Sequence, residues 1–280
     1  MVATPIGNLE DLSDRARKVL RDVDLIAAED TRQTRHLLTH FGIATPLVSY
    51  HEHNEAGAAA RLIERLESGL NLALVADAGT PLISDPGYDL VSTARARGVS
   101  VVPIPGPNAA VCALSAAGLP SDRFLFLGFP PRTGAQRLAW IASVSHEPGT
   151  LVIYESGRRA VATLADLAEV LGGGRRVVLA RELTKRFETF LSGSAAQLAE
   201  RLAADEEQRL GELVILVEGR QGPLSEDRQD QERVLRVLAT ALPLRQAAGL
   251  AARLTGGRKN DLYRLGVALG LGAADRPSDP

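Results

Sequence analysis

The stretch Leu72-Ala-Leu-Val-Ala-Asp-Ala-Gly-Thr-Pro-Leu-Ile-Ser-Asp-Pro-Gly87 decides the fold. Its first five residues form a short apolar run of strand length, and the remainder reads as a turn rich in glycine and proline. A helix-period segment from Leu90 to Arg97 comes next, and then a second apolar run, Val99-Ser-Val-Val-Pro-Ile104. Strand, turn, helix and strand in that order make a βαβ unit and predict a mainly parallel sheet. The alternation extends outward. Asp24-Leu-Ile-Ala-Ala28 reads as another strand, and Leu12 to Arg21, Arg32 to Phe41 and Glu55 to Ser68 read as helices. The pattern pauses near Gly118-Leu-Pro-Ser-Asp-Arg123 and resumes with strands at Phe124–Leu127, Thr150–Glu155, Arg176–Glu182, Phe187–Leu191 and Glu212–Glu218. The close pair around Thr184 predicts antiparallel pairing, so the second sheet is expected to be mixed. Gly219 to Gln229 is a polar, turn-rich linker. Helices are expected at Asp230–Thr240, Leu244–Leu254 and Lys259–Leu269, the last two separated by Thr255-Gly256-Gly257, the turn length of a helix-turn-helix. The expected organisation is α/β: domains at 1–118 and 119–222, a helical module at 230–270 and a tail at 271–280.

Composition narrows the function classes. With 280 residues, 45% hydrophobic and 24% charged, the chain has the make-up of a folded protein. No apolar run reaches the roughly 18 residues of a membrane-spanning helix, and no secretory signal is expected from the first residues. The single cysteine, Cys112, excludes an intrachain disulfide and a thiolate zinc cluster and fits a reducing cytoplasm. A net charge of −2 excludes binding to nucleic acid through bulk charge. Charge is uneven, however: Gln197–Glu232 is strongly acidic, while Leu242–Arg264 carries Arg245, Arg253, Arg258, Lys259 and Arg264 against Asp261 alone. A polyanionic partner is expected at that basic end.

The dinucleotide fingerprint G-x-G-x-x-G, the phosphate loop G-x-x-x-x-G-K-[ST] and the nucleophile elbow G-x-S-x-G are all absent. In their place stand three glycine- and proline-rich turns, Thr4–Asn8, Ala76–Gly87 and Pro103–Ala110. Ligands of open α/β sheets collect beyond the carboxyl ends of strands, where these turns fall. Each also fits a plain βα turn. Carboxylates at predicted strand ends, Glu29, Asp30, Asp77, Glu155 and Glu182, can hold hydroxyls or an amino group, or act as bases. Asp30 fits a helix N-cap as well as a functional role, and the two are compatible. His36 and His40, and His51 with His53, are spaced as metal ligands can be, but nothing in the sequence fixes the two groups against each other, and solvated histidines are the simpler account. Cys112 fits as small core filling in an alanine-rich helix, and Leu138 and Trp140 fit the buried face of another.

A set of longer motifs carries a resemblance. Thr4-Pro-Ile-Gly-Asn-Leu9, Ala28-Glu-Asp-Thr-Arg32, His53-Asn-Glu55, Asp77-Ala-Gly-Thr-Pro81 with Asp85-Pro-Gly87, Pro105-Gly-Pro107 with Leu114–Phe124, Tyr154-Glu-Ser156, Ala180-Arg-Glu-Leu-Thr-Lys185 and Gly211-Glu212 resemble, in order, the RsmI family. These are bacterial 16S ribosomal RNA (cytidine-2′-O)-methyltransferases. The resemblance implies a tetrapyrrole-methylase-like (class III) fold, with two α/β domains flanking a cleft for S-adenosylmethionine, a small helical C-terminal domain, a homodimer, and action on a decoding-centre cytidine in 16S rRNA or the small ribosomal subunit. From the residues themselves, no metal and no membrane are expected. Cofactor contacts are expected from Asp77, Ala78, Gly79, Thr80 and Ile83, from Pro105, Gly106, Asn108 and Ala109, and from Tyr154, Arg181 and Leu183. Substrate contacts are expected from Thr4, Pro5, Gly7, His53, Asn54, Glu55, Glu155, Lys185, Arg258, Lys259, Asn260 and Tyr263. Asp30 is the expected base, with Asn8 and Arg32 placing the nucleotide; Glu29, Glu155 or water are alternatives. Family members carry further residues before Thr-Pro-Ile-Gly-Asn, so the first strand here is expected to be short, and Ala76 stands where the family has serine. Two other readings stay open: methylation of a small tetrapyrrole-like substrate, and a non-catalytic RNA-binding assembly factor.

Overall fold

The computed structural model describes residues 1–51, 55–220 and 228–271. Two compact units emerge, residues 1–219 and 220–280.

The first unit opens with a parallel sheet of β1 (Leu25–Ala28), β2 (Leu47–Ser49) and β3 (Leu72–Val75) in the order β2-β1-β3. Successive strand side chains point to opposite faces, and the core sorts accordingly. Ile26, Ala28, Ala73 and Val75 pack on one side with Leu20 of α1 (Asp14–Asp22) and Leu38 of α2 (Thr31–His40). Leu25, Ala27 and Leu74 pack on the other with Leu62 of α3 (Glu55–Glu67) and Leu90 of α4 (Tyr88–Ala96). Helices on both faces explain why β1 is buried at all four residues.

The segment Val99–Ile104, expected as a strand, is not one. Its ladder contact is a single parallel bridge between Val2 and Ile104. Val2 donates to the Leu74 carbonyl at 2.9 Å, and Ile104 donates to the Met1 carbonyl at 2.8 Å. Two residues further on, Thr4 bridges Gly79 instead, so the would-be partner turns away before a ladder can form. Val2 is nonetheless wholly buried between the two segments.

Helix α5 (Ala109–Ala116) leads to the second sheet, made of β4 (Phe124–Gly128), β5 (Thr150–Ser156), β6 (Arg176–Arg181), β7 (Thr189–Ser194) and β8 (Glu212–Val217). The order is β4-β5-β8-β6-β7, with β4–β5 parallel and the other pairs antiparallel, which is the expected mixture. The β7 strand begins at Thr189 rather than Phe187 because the preceding hairpin turn needs those residues, with Glu182 and Thr184 at positive φ. One face of this sheet takes α6 (Gly134–Ser143), α7 (Gly157–Leu171) and α8 (Ala195–Ala204) through Ile141, Leu164, Leu167 and Leu198. The other face, Val152, Val178, Ala180, Val214 and Leu216, is covered by Ala110, Ala113 and Leu114 of α5. Small alanines let α5 lie close to the strands, and Cys112 is half-buried in that layer.

Periodicity alone puts Leu138 and Trp140 of α6 on the buried face; both are half-buried, and Arg137 lies deeper. Its guanidinium reaches Asp166 of α7 at 2.6 Å.

The second unit contains α9 (Arg228–Ala239), α10 (Leu244–Thr255) and α11 (Lys259–Ala268) around Leu235, Ala247, Ala248, Ala251 and Leu262. Gly256, left-handed at φ 73°, ends α10 and allows the short turn into α11. Most of the expected linker and almost all of the tail lie outside the described residues. Among the described residues no helix is long and apolar enough to cross a membrane.

Removing one partner of a buried ion pair strands the other charge. Arg137→Ala is therefore expected to lower unfolding free energy by about 3 kcal/mol, measured by urea denaturation, and Asp166→Asn by less, since the asparagine amide oxygen can still accept from the guanidinium.

Candidate active site

The amino-terminal turn is tied to the loop after β3. Thr4 donates from its backbone to the Gly79 carbonyl at 2.9 Å and accepts from Gly79 N–H at 3.1 Å, while its hydroxyl donates to the Ala76 carbonyl at 3.2 Å. The loop after β3 is tied in turn to the loop before α5, where the Thr80 hydroxyl donates to the Pro107 carbonyl at 2.9 Å. Asn108 caps α5 by accepting from Val111 N–H at 3.1 Å. The second sheet closes the circuit, because the Tyr154 hydroxyl oxygen accepts the Ala110 N–H at 3.1 Å. Gly79 sits at φ 86°, a backbone state that strains any side chain, and the Ile6 side chain stands 3.3 Å from where a Cβ would be.

These ties enclose a cleft of about 340 Å³. Of the expected cofactor residues, Asp77, Ala78, Gly79, Thr80, Ile83, Asn108, Ala109, Tyr154 and Leu183 line it. Pro105 and Gly106 do not; Gly106 packs on Ala3. Arg181 is also outside the lining, its side chain buried and donating to the Thr189 hydroxyl at 3.3 Å.

The expected substrate residues divide. Thr4 is buried and its groups are consumed by the turn, so it offers nothing to a substrate. Pro5 and Gly7 lie beside the cleft; a Cβ on Gly7 would fall 2.5 Å from the Lys185 side chain, so glycine is what lets that lysine cross the turn. Lys185 lines the cleft, but its ammonium donates to Glu182 at 3.0 Å and Glu212 at 3.2 Å, which raises its pKa despite partial burial. Glu155 is among the residues that line the cleft, but its carboxylate is already taken up. Its carboxylate is buried, accepting from the Thr163 hydroxyl at 2.7 Å and Ser156 N–H at 2.9 Å, with Arg159 alongside at 3.5 Å. Its side chain is fully buried, so the carboxylate fixes the start of α7 to β5 and is not free to act as a base. His53 and Asn54 lie outside the described residues, and Glu55 opens α3.

Asp30 caps α2, accepting from Arg32 N–H at 2.8 Å, with the Arg32 guanidinium 3.5 Å away. Those contacts hold its carboxyl below the usual range. Neither Asp30, Arg32 nor Asn8, which caps the short helix at Leu9–Asp11, lines the cleft. Glu29 does line it, and burial together with the Asp77 charge raises its pKa. Asp77 in turn accepts from Asp30 N–H at 2.9 Å.

In the second unit Arg258, Lys259, Asn260 and Tyr263 are all exposed at the start of α11, which is solvent-facing there. Among the described residues no group of three or more His, Cys, Asp or Glu is arranged to hold a metal.

The tetrapyrrole (corrin/porphyrin) methylase family matches residues 1–199, and the RsmI C-terminal HTH domain matches residues 225–270. A ribosomal RNA small subunit methyltransferase I of Pseudomonas aeruginosa is 54% identical over 266 residues, 94% of both chains. One of the same name from Xylella fastidiosa is 52% identical, covering 94% of this chain and 96% of that one. The chain belongs to the ribosomal RNA small subunit methyltransferase I family. Solved structures agree on the fold. A diphthine synthase aligns with a TM-score of 0.59 at 15% identity, covering 79% of this chain and 89% of its own. A uroporphyrin-III C-methyltransferase from Thermus thermophilus, complexed with S-adenosyl homocysteine, aligns with a TM-score of 0.51 at 19% identity, covering 77% and 94%.

Within this small subunit methyltransferase I fold, sequence reading missed Ile6, Ser84, Asp85, Phe129, Ser156, Ala180, Glu212, Leu213 and Val214 as lining residues. Ala180, Leu213 and Val214 had a findable signal. The carboxyl ends of β5 and β6 meet the cleft, and β8 is antiparallel to both, so its first residues reach the same edge: Glu212 pairs with Ser156, and Leu213 with Arg181. Asp85 stood in the Asp85-Pro-Gly87 motif without a role.

Tyr154→Phe leaves the Ala110 N–H without its acceptor, at a cost of about 1 kcal/mol. Calorimetry is expected to show a melting temperature lower by about 2–4 °C for the first unit.

Proposed function

We propose that the chain transfers a methyl group from S-adenosylmethionine to the ribose 2′-oxygen of a cytidine in 16S rRNA, at the decoding centre of the small subunit. The observation that carries this reading is the 54% identity, across 94% of both chains, to a relative named as a ribosomal RNA small subunit methyltransferase. The family resemblance adds the cytidine, the 2′-oxygen, the decoding centre and a homodimer. Domain limits at 118/119 and 222 belong to the same proposal.

The cleft suits the donor chemically. Its floor is apolar, with Ile6, Ala180, Leu213 and Val214, as an adenine ring requires. Glu29, Asp77 and Asp85 line it, with no positive partner among the described lining residues except the already paired Lys185, and that charge balance suits a cationic ligand. The donor supplies a methyl group already activated by its sulfonium, so the protein's work is placement. Gly79 and the Tyr154–Ala110 bond hold the two loops at a fixed separation, which keeps the order needed on binding small. Arg32 and Asn8, outside the cleft, place the nucleotide, with Asp30 orienting Arg32. A carboxylate held below the ordinary range is a weak proton acceptor, whereas Glu29, in the cleft and raised by burial, is the better one. The exposed Arg258, Lys259, Asn260 and Tyr263 hold surrounding phosphates and bases. A small tetrapyrrole-like substrate would leave that basic helix without a purpose.

The direct test supplies purified protein and S-adenosylmethionine to small ribosomal subunits lacking the modification, with mass spectrometry of the RNA. One methyl on a cytidine ribose is expected; none anywhere in the RNA overturns the proposal. Asp30→Asn is expected to slow turnover by less than about tenfold, and Glu29→Gln by about a hundredfold. Replacing Arg258 and Lys259 by alanine is expected to reduce the slope of log affinity against log salt by about 1–2, with donor affinity unchanged in calorimetry.

A further inference from the structure

We propose that Asp85 is the carboxylate that takes up the positive charge of the methyl donor, and that it gives up a proton as the donor enters the cleft. This rests on the methyltransferase reading above and adds a binding residue and a proton balance to it.

The geometry sets Asp85 apart from its neighbours. Glu29, at the end of β1, accepts a backbone hydrogen bond from Asp77. Asp77, at the end of β3, accepts from Asp30 N–H at 2.9 Å. Asp30 is spent on capping α2, and Glu155 on Thr163, Ser156 and Arg159. No hydrogen-bond donor among the described residues reaches the Asp85 carboxylate, although it lines the cleft and is about half-buried. The segment that carries it is held in an unusual backbone state, with Leu82 at φ 74° and Ser84 at φ 72°, neither of them glycine. Such residues persist where the surrounding fold over-determines them, and they gather at ligand sites.

The groups facing Asp85 are Glu29, Asp77 and the Tyr154 hydroxyl on β5. His51, beyond β2, acts on Glu29. The lysine of the cleft, Lys185, is already shared by Glu182 and Glu212. Burial and the two like charges accordingly raise the Asp85 carboxyl to about 7. The free protein therefore carries this proton in part near neutrality, and a cation entering the cleft supplies a partner that no described residue provides. The proton passes from the carboxyl to solvent; no bond in the donor changes.

Isothermal titration of S-adenosylmethionine into the full chain tests this, run at pH 7 in buffers of differing ionisation enthalpy. Release of about half a proton per donor bound is expected, and affinity about tenfold weaker at pH 6 than at pH 8. Asp85→Asn is expected to abolish the release and flatten the pH dependence to under twofold. Should that variant fold poorly, Glu29→Gln serves instead: removing one like charge moves the release to lower pH. S-adenosylhomocysteine keeps the ammonium and lacks the sulfonium charge. Equal proton release with both ligands assigns the ammonium to Asp85, and release with the methyl donor alone assigns the sulfonium. Donor binding without proton release from the unmodified protein, or undiminished release from Asp85→Asn, overturns the inference while leaving the methyltransferase reading intact. Failure to bind the donor at any pH removes both.

Discussion

The architecture of the first unit depends on one burial event: α5, which follows the first sheet, is buried against the second. Val152, Val178, Ala180, Val214 and Leu216 form an apolar face that would be open to water without Ala110, Ala113 and Leu114. Closing that face by roughly 25 cal/mol per Å² of apolar surface fixes where α5 begins. The start of α5 is also where the Pro103–Ala110 turn ends, so the same burial sets one wall of the cleft. The Tyr154–Ala110 bond and the Thr80–Pro107 bond then add direction to a non-directional force.

The electrostatics of the cleft follow from that closure. Strand ends bring Glu29 and Asp77 together, and the loop after β3 adds Asp85. In water three carboxylates at such spacing would repel weakly; partly desolvated, they raise one another's proton affinity. The other wall balances its charge internally, with Lys185 between Glu182 and Glu212. Among the described residues, one side of the cleft is therefore electrically satisfied and the other is not. That asymmetry is what orients a ligand carrying positive charge at one end.

Much of this was legible in the sequence, and the failures have causes. Strands and helices were found because Ile26 and Ala28 face one helix layer while Leu25 and Ala27 face the other, which makes β1 a continuous apolar run. The loops at Asp77–Ile83 and Asn108–Ala109 were found because glycine and proline announce turns. Val99–Ile104 misled because strand propensity is realised only when a partner supplies a ladder, and the partner here turns away at Thr4. Glu155 misled because its strand-end position is visible in sequence, whereas Thr163 and Arg159, which neutralise it from α7, become its neighbours only on folding. Asp85 was overlooked for the opposite reason: nothing local marks a carboxylate that no hydrogen-bond donor among the described residues reaches.

The placement of Val2 has a consequence for the order of assembly. It is buried between Leu74 and Ile104, so it cannot take its place until more than a hundred further residues have left the ribosome. Contacts of such sequence separation form late and slow the reaction that makes them. An early-made piece of the chain is thus a keystone set near the end of construction. Until it is seated, the edge of β3 stands open during synthesis, a place where nascent chains could pair with one another or where a chaperone would find purchase.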